Sequence, residues 1–211
     1  MDGAETDHVT EGLERAVKEG IANLAVQPTF LTKGQEYTKL AGLLKQYEGR
    51  FSRIAFGEPL LSGNADLDMV AKAVGEKLSL YDDGRTAICL MGHGTEGESN
   101  RVYTRLQEKM RETGYGDFYI GTMESEPSLA DILLHLKEKG IYERVVLSPL
   151  MMAAGKHVYE EMAGDKDGSW KRIMQGRGYE VECLTEGLGQ MPAVRKGYVG
   201  HVRAALEQFC L

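Results

Sequence analysis

The chain has 211 residues, a formal net charge of −7 and 42% hydrophobic residues, a globular composition with room for one large or two small domains. No apolar run approaches the roughly 20 residues needed to cross a bilayer, and the acidic first 20 residues do not resemble a secretory or transit signal. Three cysteines without a CxxC pair suggest neither a disulfide framework nor a thiolate zinc site. The acidic balance argues against nucleic acid. We therefore expect a soluble cytoplasmic protein that binds neither nucleic acid nor membrane.

In chain order, the first part of the sequence predicts a helix that ends near residues 18–20, an apolar strand before a loop at 27–37, and a further strand within 53–60. The polar segment at 81–85 contains Asp-Gly and precedes a new strand. We place a domain junction there, which divides the chain into residues 1–82 and 83–211.

The second part alternates short apolar strands with amphipathic helices. Strands are predicted at 87–91, 118–123, 144–148 and 179–184, and helices at 100–113, 129–139, 158–163, from 170 onward and at 193–209. Ser128 is the expected N-cap of the helix at 129–139, and Gly140 its stop. Strands that alternate with helices and lack polar alternation predict an α/β fold with a parallel sheet covered on both faces.

An internal repeat relates the two parts. QPTFLTKGQEY at 27–37 and SPLMMAAGKHVY at 148–159 both follow an apolar strand, begin with a polar residue and Pro, and place Gly six residues after that Pro. Glu36 therefore corresponds to His157. The repeat predicts two similar parallel-sheet domains, of which the first lacks the leading strands of the second. A complete duplication would contain about 40 to 70 further residues.

Two of the five histidines are expected in glycine-containing loops directly beyond predicted strands. His93 and His157 follow two of the strands, and Glu124 follows a third. Because open α/β sheets bind ligands at the carboxyl ends of their strands, we expect these three side chains in one crevice. Two imidazoles and a carboxylate suit cobalt(II), iron(II), nickel(II) or zinc(II). The alternative for Glu124 is a helix cap, and for His8, His135 and His201 the expected role is solvation or packing.

The segment GHGTEG at 92–97 also fits the dinucleotide fingerprint G-x-G-x-x-G between a strand and a helix. A bulky histidine stands where the backbone should approach pyrophosphate, and Glu98 adds negative charge beside it. An NAD(P)-binding domain is therefore the less favoured interpretation.

The chain resembles a known family in several motifs: MGHGTEGESN at 91–100, GTMESEP at 121–127, SPLMMAAGKHVYEEMAGDKDGSWK at 148–171, EGLGQMPAVR at 186–195 and GEPLLSG at 57–63. In this order they are similar to the anaerobic sirohydrochlorin cobaltochelatases of cobalamin biosynthesis, within the class II tetrapyrrole chelatases. The resemblance covers about residues 11–208, and relative to the family the chain is N-terminally shortened.

The resemblance implies a lyase with two similar α/β domains that face each other across a tetrapyrrole-binding cleft. It implies that His93 and His157 are catalytic and hold the metal together with Glu124. Glu36 would lie across the cleft. The substrate metal would be cobalt(II). Imidazoles would also accept the pyrrole protons, and the reaction would need no nucleotide or redox cofactor.

Sirohydrochlorin carries carboxylate side chains, for which Lys33, Lys156 and Arg101 are the candidate cations; the alternative for each is a solvated surface charge. A shortened chain that binds metal or tetrapyrrole without inserting the metal is the second hypothesis. A homo-oligomer is compatible with the sequence.

Overall fold

The computed structural model describes residues 8–207, which form an α/β fold with two parallel sheets. The first sheet has two strands, β1 and β2, and lies in the first part of the chain. The helices and strands of this first part are α1 (Val9–Lys18), β1 (Asn23–Val26), α2 (Gln35–Gln46), β2 (Arg53–Phe56) and α3 (Asn64–Leu78).

The second sheet has four parallel strands in the order β4-β3-β5-β6. Its elements are β3 (Thr86–Gly92), α4 (Arg101–Glu112), β4 (Phe118–Thr122), α5 (Leu129–Lys139), β5 (Arg144–Pro149), a π-helical segment (His157–Met162), α6 (Trp170–Gly176), β6 (Glu180–Cys183) and α7 (Pro192–Glu207). Every residue of β3 is buried, as expected for a central strand with both faces covered. Cys89 in β3 is fully buried, as expected for a small core residue.

The expected parallel α/β class is confirmed, with a local difference at one segment. The segment predicted as a helix at 158–163 is wound as a π-helix from His157 to Met162, and the backbone N–H of Ala163 donates to the carbonyl of Val158 five residues earlier, at 2.9 Å. His157 therefore opens a helical segment instead of lying in a loop. The predicted end of the last helix, at 209, and Cys210 lie outside the described residues.

The helix α5 shows why its predicted bounds agree with the structure. Its N-cap is Ser128, and its C-cap, Gly140, has φ +60°, the left-handed conformation that glycine adopts at low cost. The backbone N–H and the hydroxyl of Ser128 both donate to Oδ2 of Asp131, at 2.7 Å each. Ser128 rather than Glu124 therefore occupies the cap position.

The two sheets carry the repeat in their topology. The β1–α2–β2–α3 order of the first part matches the order β5, π segment, β6 and α7 of the second, where α6 is an added helix, and both strand pairs are parallel neighbours. Within residues 8–207 the first sheet has no counterparts of β3 and β4.

A shared hydrophobic core joins the two parts of the chain. Buried side chains of α3, such as Val70 and Val74, pack in one cluster with Leu90 of β3 and Leu106 of α4. Conversely, the helix α7 of the second part packs against β1 and β2 of the first part. The opposite face of the second sheet packs against α5, the π segment and α6. The division into residues 1–82 and 83–211 stays a prediction, and its boundary lies in the turn before β3.

Within residues 8–207, none of the helices combines the length and the apolar character that a bilayer crossing requires.

Candidate functional site

Three candidate residues lie beyond the carboxyl ends of neighbouring strands of the second sheet. The strand order β4-β3-β5 places Glu124, His93 and His157 beyond consecutive strands. The β3–β4 ladder continues past the strand ends, because the backbone N–H of Glu124 donates to the carbonyl of His93 at 3.1 Å. This bond fixes the two backbones side by side.

The two imidazole rings stand edge to face, with centroids 5.0 Å apart and planes at 86°. Nδ1 of His93 lies 3.5 Å from Oε2 of Glu124. A first-row divalent metal ion binds imidazole nitrogens at about 2.1 Å. If two imidazoles bind one such ion with an N–metal–N angle of about 90° to 109°, their ring centroids are about 4.5 to 5.2 Å apart. The observed separation falls within that range. The side chains of His93 and His157 are 44% and 40% exposed, so an ion in solution can reach them.

The side chains of His93, Glu124 and His157 are not arranged as the ligands of one metal ion. Across the described part of the chain, no group of three or more His, Cys, Asp or Glu side chains is arranged to hold a metal ion. Nδ1 of His157 instead faces Oε1 of Glu161, at 2.9 Å. A three-ligand site for His93, Glu124 and His157 therefore requires side-chain rotation about a backbone that is already in place.

The loop that carries His93 is held by hydrogen bonds of its own. The backbone N–H of Gly94 donates to the hydroxyl of Tyr103 at 3.3 Å, and that of Thr95 donates to Oδ1 of Asn100 at 3.0 Å. Gly94 has φ +91°, which a residue with a side chain rarely adopts. Because these two N–H groups already have acceptors, they are not free to bind a dinucleotide phosphate.

A pocket of about 430 Å³ adjoins the histidine loop and has walls from both parts of the chain. The second part contributes His93, Glu124, Tyr103 and residues 94–96, and the first part contributes residues 30–32 and 34–37.

Aromatic packing fixes one wall of this pocket. The ring of Tyr37 stacks on Phe56 with centroids 4.7 Å apart, and its pKa is raised by burial and by the nearby carboxylate of Glu58. Glu36, the counterpart of His157 in the repeat, lies in the same wall and pairs with Lys39 at 2.6 Å.

The three predicted cations have different positions. Nζ of Lys33 forms an ion pair with Glu58 at 2.6 Å and lies 6.0 Å from the centroid of the Tyr37 ring in the pocket wall. Lys156 is exposed and directly precedes His157. Arg101 pairs with Glu98 at 3.1 Å and lines a different surface depression. The structure therefore places Lys33 and Lys156 beside the site residues and Arg101 apart from them.

Several residues at the site were not predicted from the sequence. Tyr37 and Tyr103 line the pocket through long-range packing that leaves no local sequence signal. Glu161 could have been predicted, because it stands four residues after His157 in a predicted helix, the spacing at which side chains on one face meet.

Together the fold and the site define a parallel α/β protein with two histidines and a carboxylate at the carboxyl edge of its larger sheet. The model of the family described as cobalt chelatase (CbiK) matches residues 1–207. The chain therefore belongs to the cobalt chelatase family, and the resemblance seen in its motifs is confirmed.

Two curated relatives have similar lengths of match. The sirohydrochlorin cobaltochelatase of Salmonella typhimurium is 28% identical over 206 residues, which are 98% of this chain and 77% of the relative. The sirohydrochlorin cobaltochelatase CbiKC of Nitratidesulfovibrio vulgaris is 29% identical over 205 residues, 96% of this chain and 72% of the relative. Among solved structures, SirB from Bacillus subtilis with Fe³⁺ superposes with a TM-score of 0.66 at 18% identity, covering 97% of this chain and 80% of that one. This last likeness concerns the fold.

Proposed function

We propose that this protein inserts cobalt(II) into sirohydrochlorin or a closely related tetrapyrrole. The observation that carries the proposal is the pair of imidazoles 5.0 Å apart at the carboxyl edge of the second sheet, in a chain of the cobalt chelatase family. The names of the two curated relatives supply the substrate, since both are sirohydrochlorin cobaltochelatases.

His93 and His157 hold the incoming cobalt ion, and Glu124 swings in as the third ligand. A mixed set of imidazole and carboxylate donors suits a cobalt ion that must later be released, because it binds more weakly than a thiolate site. The 3.5 Å between Nδ1 of His93 and Oε2 of Glu124 shows that the carboxylate is already beside the ring.

Insertion transfers the ion from these protein ligands to four nitrogens of the macrocycle, while two pyrrole N–H protons leave. A neutral imidazole accepts one proton near neutral pH, so the two histidines released by the metal each take up one of the two protons. The ion keeps its oxidation state throughout, so no electron donor or acceptor takes part.

The pocket between the two parts of the chain receives the macrocycle, in a cleft between two α/β domains. Its walls come from both parts, with Tyr37 and Glu36 on one side and His93 on the other. Since the chain carries a net charge of −7, an anionic substrate needs local cations, and Lys33 and Lys156 beside the site supply them. The role of Arg101 stays a prediction.

The test follows the absorbance of sirohydrochlorin after addition of cobalt(II) to the purified protein under anaerobic conditions. Loss of a proton acceptor or metal ligand in His93→Ala and His157→Ala should slow insertion by about 10²- to 10⁴-fold. His135→Ala is the matched control, since His135 is exposed on α5, where its Nδ1 bonds to the carbonyl of Asp131, and it does not line the pocket beside His93. Unchanged turnover in both site variants would refute the assignment, and binding of both substrates without product would favour a non-catalytic binding protein.

A further inference from the structure

A carboxylate stands behind one of the two histidines, in the same helical segment. Nδ1 of His157 lies 2.9 Å from Oε1 of Glu161. An ionised carboxylate can only accept a hydrogen bond, so Nδ1 carries the hydrogen, and Nε2 of the neutral ring keeps its lone pair. We propose that Glu161 is a positioning residue that holds His157 in this tautomer and so makes Nε2 the atom that receives the metal ion. The inference rests on the function proposed above.

The backbone beneath this pair is anchored in the core. Within the π segment, Val158 and Met162 are fully buried, and each directly follows one of the partly exposed residues His157 and Glu161. The backbone N–H of Ala163 closes the π turn on the carbonyl of Val158. Because packing fixes the main chain at both positions, the hydrogen bond between the two side chains forms before any metal arrives.

The two carboxylates near the histidines differ in what they can do. Oε2 of Glu124 is 3.5 Å from Nδ1 of His93, beyond hydrogen-bond distance, and that ring nitrogen also lies 3.3 Å from the carbonyl of Gly94. Glu124 is thus free to turn toward an ion. Glu161 is within hydrogen-bond distance of its histidine and lies behind the ring relative to Nε2. A hydrogen-bonded carboxylate in this position orients a ligand histidine and raises its basicity.

The first experiment measures the tautomer directly. Two-bond ¹H–¹⁵N spectra of histidine-labelled protein are recorded without metal at about pH 8, above the ordinary histidine pKa of about 6.5, and the His157 signals are assigned by their loss in His157→Ala. We expect the Nδ1–H form in the unmodified protein and a larger Nε2–H fraction in Glu161→Ala. Glu161→Gln keeps an acceptor oxygen and should restore the Nδ1–H form. Glu160→Ala is the matched control, because Glu160 is paired with Lys166.

The second experiment titrates cobalt(II) alone into the same proteins and follows its visible absorption. Removal of a carboxylate behind a ligand histidine weakens metal binding about 10- to 100-fold, which we expect for Glu161→Ala, with a smaller loss for Glu161→Gln. An unchanged His157 tautomer in Glu161→Ala, with the fold intact by circular dichroism, would overturn the inference. A protein that fails to convert sirohydrochlorin but shows the tautomer shift would refute the proposed function and retain the role of Glu161.

Discussion

The substitution Gly92→Ala tests how the end of β3 is packed directly before His93. A Cβ at Gly92 would lie 2.5 Å from Cε1 and 3.1 Å from Cδ1 and Cζ of Tyr103. Carbon atoms in contact are normally about 3.5 to 4.0 Å apart, so either the ring or the strand end must move by about 1 Å. Tyr103 is only 2% exposed, which leaves the ring little room. Overpacking of this kind costs about 1 to 3 kcal/mol of unfolding free energy.

A second glycine supplies a control of opposite sign. Gly200 lies in the exposed face of α7, and a Cβ there would meet no atom within 4 Å. Because glycine in a helix is less stable than alanine, Gly200→Ala should raise the free energy of unfolding by about 0.5 to 1 kcal/mol. Urea unfolding measures both changes, and thermal unfolding should shift by about 2 to 4 °C per kcal/mol for a chain of this size.

A double-mutant cycle shows whether the ring is the cause. Tyr103→Leu removes the atoms that a Cβ at Gly92 would overlap, so the double variant should lose less stability than the sum of the single variants. The expected coupling is about 0.5 to 3 kcal/mol. Additive losses, or a Gly92→Ala variant as stable as the parent protein while Gly200→Ala gains stability, would refute the packing argument.

Two further predictions concern polar contacts away from the candidate site. His201→Ala removes the contacts of the ring with Oδ1 of Asp66, at 3.0 Å, and with the carbonyl of Glu58, at 3.1 Å. The free energy of unfolding should therefore fall by about 1 to 3 kcal/mol in urea, and an unchanged unfolding midpoint would contradict this prediction. Asp131→Ala should cost about 0.5 to 1 kcal/mol at pH 7, since Asp131 accepts both hydrogen bonds of Ser128 in a partly buried helix cap. Those bonds lower the pKa of Asp131 from 3.8, so its stabilisation is present above that pH and is lost as the pH falls below it. The difference from the parent protein should therefore narrow on acidification, and a constant difference would refute the assignment.

The local elements and the edge that carries the site could be predicted from the sequence. The helix α5 has its apolar stripe, its cap at Ser128 and its stop at Gly140 within a dozen residues, and the structure reproduces its bounds. The proximity of His93 and Glu124 could be predicted because each follows the carboxyl end of a parallel strand, and these ends lie at one edge of the sheet. The rule that open α/β sheets bind ligands at this edge needs no knowledge of distant contacts.

The interactions between the two parts of the chain could not be predicted in this way. The hydroxyl of Tyr198 in α7 donates to the carbonyl of Phe30, 168 residues earlier, at 2.9 Å. No periodicity within either segment indicates that they meet, because the contact depends on how α7 crosses onto the first sheet. The π winding that begins at His157 is a further case, since the local sequence predicts only a helix there.

The contacts between the two parts of the chain are stronger away from the pocket than at its rim. Away from the pocket the two parts share a core of fully buried side chains, such as Val70 and Leu106, each worth about 1.5 to 3 kcal/mol on burial. At the pocket rim they meet through exposed hydrogen bonds, from Gln35 to Glu96 at 2.7 Å and from the hydroxyl of Ser99 to the carbonyl of Lys33 at 3.0 Å. Exposed bonds of this kind contribute about 1 kcal/mol or less and exchange readily with water. Under the function proposed above, a flat macrocycle enters by separation of these rim loops, at a small fraction of the free energy that would be needed to part the core.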